Sequence, residues 1–163
     1  KDTTKHMFLS STSFPTFFSG LWSCARFPLI QISNVGGEHC GTYDARMTKP
    51  LGPYTPAVRA GDWIIVSGQL GLKDGVLVEG GVAAQTAQAV ENLKGQLASM
   101  GATVADVAKT LCFLTDIDTF ATFNDAYVAG FEGSRPARST IGVAALPAGA
   151  AVEIEAWAFK PLG

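Results

Sequence analysis

Beyond residue 46 the chain contains no histidine. That absence removes Ser-His-Asp and Cys-His catalysis from the main body of the sequence, because both need an imidazole base. The two histidines, His6 and His39, stand outside it, and His39-Cys40 lacks ligand spacing, so no metal site is expected. Cysteine is scarce as well. Cys24, Cys40 and Cys112 are an odd, scattered set that makes no disulfide framework. Cys112, inside an apolar strand, reads as a small buried hydrophobe, and a reducing, cytoplasmic setting fits this usage. No stretch reaches the roughly 20 apolar residues of a membrane helix, so no membrane partner is expected. The GVLVEGG stretch has glycines but neither GxxxxGK[ST] nor GxGxxG, which argues against a phosphate cradle. A basic face is also missing. Net charge is −2, and residues 47–163 hold eight basic against eleven acidic groups, giving −3. Nothing in that balance recruits nucleic acid.

What is present is apolar and regular. At 163 residues with 47% hydrophobic content, the sequence supports one well-packed domain. It divides near residue 46. Between Asp2 and Glu38 no acidic residue occurs, Lys5 and Arg26 are the only formal charges, and Phe8 to Phe18 holds four phenylalanines. Residues 1–46 are read as an N-terminal extension without a functional role. One account is an artefact of cloning or gene start, with His6-Met7 as the junction and Met47 as the natural beginning. A second is an acid-poor, serine-rich targeting segment, and a third an ordered extension. The domain is placed at 47–163.

From Met47 the pattern predicts β-β-α-β-α-β-β. Gly52 to Pro56 is loop, Ala57 to Ala60 a short strand, and Trp63 to Ser67 a continuous apolar run expected to be buried on both faces. Lys73-Asp74-Gly75 supplies turn chemistry. A helix over 82–100 carries Ala87, Val90, Leu93, Leu97 and Met100 as one stripe and ends at Gly101. Val107 to Thr115 is strand. Asp118 or Thr119 caps a second helix to about Phe131, whose stripe of Phe120, Phe123, Tyr127 and Phe131 is expected in the core. Each helix leads from one strand to another, so the class is α/β, a mixed sheet with both helices on one face.

The closing stretch, RPARSTIGVAALPAGAAVEIE from Arg135 to Glu155, carries the chemistry. It offers two strands joined by Leu-Pro-Ala-Gly. Residues two apart in a strand share a face at roughly 6.6 Å. Glu153, Glu155, Trp157 and Phe159 therefore point one way and Val152, Ile154, Ala156 and Ala158 the other. If the two strands pair as a hairpin, Arg138 and Glu153 meet at one edge or cleft, enough for a small carboxylate-bearing molecule and one water. Aromatics beside carboxylates suit neither a dry core nor a solvated face, which points to a homo-oligomer with its site at or near the interface.

The blocks GPYTPAV, IIVSGQLG, AQTAQAVENLKGQL, FATFNDAY and RPARSTIGVAALPAGAAVEIEAWA resemble the RidA/YjgF/UK114 family of reactive-intermediate deaminases, in order and at the family's spacing across nearly all of 47–163. The resemblance implies a chorismate-mutase-like fold, a homotrimer whose sheets form a central barrel, and three sites in the clefts between subunits. It implies hydrolysis of 2-imino acids such as 2-iminobutanoate and 2-iminopropanoate (or their enamine tautomers) to 2-keto acids and ammonia, with no cofactor. Carried over by position, the pocket residues are Tyr54, Ser67, Gly68, Asn124, Arg138 and Glu153. Thr140 stands where many members have a cysteine.

Those residue types suit the reaction. An arginine fork holds a carboxylate bidentately and fixes the neighbouring carbon, which lysine does not do. Glu153 is the expected base or water-holder, Tyr54 and Asn124 shape the rim, and Ser67 donates to substrate or water. Glu155 is expected to be structural, in an inter-subunit ion pair. No thiolate is required, so Thr140 is compatible with activity. The alternative is a non-catalytic trimer in which the same pocket senses a keto acid or amino acid. Some relatives have been assigned ribonuclease activity, and the acidic balance argues against it here.

Overall fold

The computed structural model of the protein describes residues 52–162. The expected extension 1–46, with Cys24, Cys40, His6, His39 and the start at Met47, lies outside the described residues. Among the described residues no helix is long and apolar enough to cross a membrane. Seven strands and two helices follow in chain order: β1 (Ala57–Ala60), β2 (Trp63–Leu70), β3 (Leu72–Lys73), β4 (Val76–Leu77), α1 (Gly81–Ser99), β5 (Val107–Leu114), α2 (Phe120–Gly130), β6 (Ala137–Gly142) and β7 (Val152–Phe159). This is the expected order with one small addition. Asp74 and Gly75, both at positive φ, turn β3 into β4 as a two-residue hairpin.

The main sheet runs β1-β2-β7-β5-β6, with β7 antiparallel to both neighbours and β6 parallel to β5. Here the hairpin expectation fails. The last two strands do not pair, because α2 returns the chain parallel to β5 and the Pro147–Gly149 turn then carries it across to the centre of the sheet. β7 occupies that place because one of its faces is wholly apolar. Val152, Ile154, Ala156 and Ala158 are all fully buried beneath the helices.

Only one sheet face is covered. β2 therefore alternates rather than being buried on both sides: Ile64 and Val66 are inside, while Trp63 is 44% exposed on the open face. The α1 stripe also shifts. Val90, Leu93 and Leu97 are buried as expected, but Ala87 is exposed and Thr86 and Ala89 take its place. Thr86 is tolerated inside because its hydroxyl donates to the Val82 carbonyl at 2.6 Å. Gly101, at φ 74°, ends the helix: its N–H reaches the Ala98 carbonyl and that of Ala102 reaches Leu97. Thr119 stands at the N-cap of α2, within the expected pair, but its hydroxyl donates to the Asp116 carbonyl and makes no cap bond. Asp116 caps a short 3-10 turn (Ile117–Thr119) that runs into α2, accepting from the Asp118 N–H. Phe123, Tyr127 and Phe131 fill the core, each aromatic contributing on the order of 2 kcal/mol by burial, whereas Phe120 remains 40% exposed.

Candidate functional site

The sequence-predicted residues fall into two groups. The first surrounds Glu153. Between Val66 and Gln69, β2 sets two residues, Ser67 and Gly68, against one of β7, Glu155, so Ser67 and Gly68 bulge from the ladder. Beside the bulge lies a cavity of about 260 Å³ lined by Tyr54, Ser67, Gly68, Leu70, Pro147 and Glu153. That suits a metabolite of a few heavy atoms. The Glu153 side chain crosses the face of Gly68, where a Cβ would collide with its carboxyl group. Ser67 Oγ donates to the Thr55 carbonyl at 2.8 Å, so its proton is engaged and its oxygen is left to accept. Burial, and secondarily the Glu155 charge, raises the Glu153 carboxyl above its ordinary range. Glu155 is raised by burial alone. Neither carboxylate has an ion-pair partner among the described residues.

The second group surrounds Arg138. In the parallel β5–β6 ladder Arg138 stands opposite Thr110, which is fully buried beneath α2, so the guanidinium lies on the helix side. Its Nη2 donates to Asn124 Oδ1 at 2.7 Å. Its Cζ lies 4.6 Å from the ring centre of Tyr127, 5.5 Å from Phe123 and 5.6 Å from Phe120. Asn124 thus holds the arginine, and it is not among the residues that line the cavity beside Glu153. No carboxylate lies within ion-pair distance of Arg138 among the described residues. Thr140 follows on the same strand face, opposite Cys112. Its Oγ1 is buried and, among the described residues, has no partner beyond the weakly polar Cys112 thiol beside it. Burial pushes that thiol up to about 11, so it is neutral and no nucleophile.

Within one chain the two groups do not meet. Glu153 opposes Phe113 and Arg138 opposes Thr110, three residues apart along β5 and hence on opposite faces. The ladders place them two strands apart, roughly 10 Å across the sheet. The arrangement offers an anion-binding fork on one side and a proton-accepting carboxylate in a small cavity on the other. Among the described residues no cluster of His, Cys, Asp or Glu could hold a metal ion. Sequence reasoning missed Leu70 and Pro147 in the cavity. It also missed the contact of Phe120, Phe123 and Tyr127 with Arg138, because helical spacing marks an apolar stripe without saying what that stripe covers.

The comparisons point one way. The family model described as Endoribonuclease L-PSP matches residues 45–160. A 2-iminobutanoate/2-iminopropanoate deaminase of Mus musculus is 46% identical over 112 residues, spanning 68% of this chain and 83% of its own. A RutC family protein of Pyrococcus horikoshii is 40% identical over 114 residues, 69% of this chain and 90% of its own. In three dimensions, RidA from the Antarctic bacterium Psychrobacter sp. PAMC 21119 aligns with a TM-score of 0.67 at 38% identity, covering 70% of this chain and 94% of that one.

Proposed function

This chain belongs to the Endoribonuclease L-PSP family, the RidA/YjgF proteins of chorismate-mutase-like fold, and from that premise we propose that it hydrolyses 2-imino acids to 2-keto acids and ammonia. One observation carries the reading. Among the described residues, a guanidinium is held on three rings and an amide with no carboxylate beside it, while a half-buried carboxylate in a small cavity has no cation beside it. A substrate bearing a carboxylate and a protonated imine complements both.

Because the two groups lie on opposite faces, a complete site needs a second copy. The Arg138 group of one protomer closes on the Glu153 cavity of its neighbour, in the homotrimer that the family resemblance implies. The open sheet face has apolar surface to bury there: Trp63 and Phe159 meet edge-to-face at 5.2 Å and each exposes somewhat under half of its surface.

The chemistry follows from the groups. Arg138 grips the carboxylate and fixes the adjacent imine carbon, so orientation supplies much of the rate. Water adds to that carbon while Glu153 accepts one of its protons, forming a carbinolamine. Glu153 returns the proton to nitrogen and then takes the hydroxyl proton as the C–N bond breaks, so ammonia departs, the keto acid remains, and the last proton passes from Glu153 to ammonia or solvent. A carboxyl group raised toward neutrality serves both directions of that transfer better than an ordinary one, with about 10²- to 10⁴-fold at stake.

The test couples the purified protein to a pyridoxal-phosphate-dependent dehydratase and its amino-acid substrate, with semicarbazide trapping free imine. Less trapped imine and faster keto-acid release, both lost in Arg138→Ala, are expected. Binding of 2-oxobutanoate without acceleration would overturn catalysis in favour of a sensing role.

A further inference from the structure

We propose that Tyr127 is a positioning residue for Arg138: with Phe120 and Phe123 it forms an aromatic shelf that orients the guanidinium toward a ligand carboxylate without neutralising it. The proposal rests on the role given to Arg138 above and adds a residue which that reading does not use.

Arg138 sits on β6, an edge strand of the sheet. A long cationic side chain there has many rotamers and, partly buried, would ordinarily recruit a carboxylate. None is present among the described residues. An ion pair would also defeat the purpose, since a fixed carboxylate competes with the ligand for the same N–H groups. Ring faces attract the cation through their quadrupole and leave its net charge in place. Of the three rings, Tyr127 is nearest, at 4.6 Å.

Tyr127 is itself immobilised from two directions. It stacks on Phe131 with ring centres 4.2 Å apart and planes 20° apart. Its hydroxyl exchanges a hydrogen bond with Thr110 Oγ1 at 2.8 Å, in a fully buried setting. Thr110 is the strand residue directly opposite Arg138. The same backbone position therefore anchors the ring and faces the arginine that lies against it. Asn124, one turn earlier on α2, accepts from one Nη and sets the rotation of the guanidinium plane. Burial pushes the phenol up to about 12, so the ring stays neutral at working pH and brings no competing charge.

The experiment compares wild type with Tyr127→Leu, Tyr127→Phe and Phe120→Leu. Steady-state imine hydrolysis, the dissociation constant for 2-oxobutanoate and the Arg138 side-chain ¹⁵N signals are measured on each. Tyr127→Leu is expected to raise KM and that constant about tenfold, the weight of one partly desolvated cation–π contact, with kcat little changed. Tyr127→Phe keeps the ring and restores both to within about twofold. A merely structural role would lower the active fraction, and so kcat, with KM unmoved. Unchanged KM and affinity in Tyr127→Leu overturn the proposal. Should that variant fail to fold, Phe120→Leu decides, since Phe120 is exposed: a rise in KM supports the shelf and none overturns it. Should wild type neither hydrolyse imines nor bind 2-oxobutanoate, the function above fails, and the nitrogen signals judge the shelf alone. A ring-shifted Arg138 signal lost in Tyr127→Leu supports it, and one retained there sinks it.

Discussion

The Glu153 carboxyl group occupies the space that a side chain on Gly68 would fill. The bulge at Ser67–Gly68 thus leaves room for the carboxylate to lie across β2 and face the cavity. Gly68 is not held at a positive φ, so an alanine meets no backbone penalty there, and the atoms it would strike are the end of a flexible side chain. Gly68→Ala should leave the melting temperature nearly unchanged while swinging Glu153 out of place. A misplacement on this scale costs on the order of 10²-fold in kcat/KM. A stopped coupled assay beside a thermal melt checks both halves, and full activity would show that Glu153 has no fixed task.

The acid limb of activity should report Glu153. Its carboxyl group is raised first by burial and then by Glu155, so kcat/KM should fall, as pH drops, through a value above the ordinary carboxylate range. Glu155→Gln removes the second cause and should move that limb to lower pH. Stability runs the other way. A carboxyl group raised on folding binds its proton more tightly in the native state, so its stabilising effect is present at low pH and lost as pH rises through the folded value. Glu153→Gln should therefore melt higher than wild type at pH 8 and about equally at pH 4, while losing activity at pH 8, where the wild-type carboxylate is ionised. A pH series of melts with a pH–rate profile tests the two signs together.

Much of this was legible in the sequence, and what was not shares a cause. The alternation of β7 foretold that Glu153 and Glu155 share one face and Val152 to Ala158 the other, and Gly101 marked the end of α1. Period two fixes the face of a strand but not its neighbour. The pairing of β6 with β5 rather than β7, and with it the placing of Arg138 opposite Glu153's face, depends on the crossover through α2. Helical spacing likewise put Phe123, Tyr127 and Phe131 inside. Phe120, on the same stripe at the start of α2, remains 40% exposed with the Arg138 guanidinium 5.6 Å from its ring centre. Tyr54, Ser67, Gly68 and Glu153 come together at one cavity although nearly a hundred residues separate the first from the last. The β2–β7 register brings Ser67 and Gly68 to Glu153, and the bonds of Ser67 to the Thr55 and Pro56 carbonyls hold Tyr54 alongside.

Thr140 gives the last prediction. Its hydroxyl is buried, lies two residues along the strand face from Arg138, and has only the weak Cys112 thiol as a partner among the described residues. An unpaired buried hydroxyl costs about 1–3 kcal/mol, so a fold that keeps one without use forgoes easy stability. If a bound carboxylate accepts from it alongside Arg138, the deficit disappears on binding. Thr140→Val keeps the shape and removes the hydroxyl. It should raise the free protein's stability by about 1 kcal/mol and weaken 2-oxobutanoate by roughly fivefold, the worth of one lost hydrogen bond. Thr140→Cys, with a weaker donor, should fall between. Denaturant melts and calorimetric titration separate the effects. A valine variant that is more stable and binds as tightly as wild type would mark Thr140 as an unsatisfied core residue with no part in recognition.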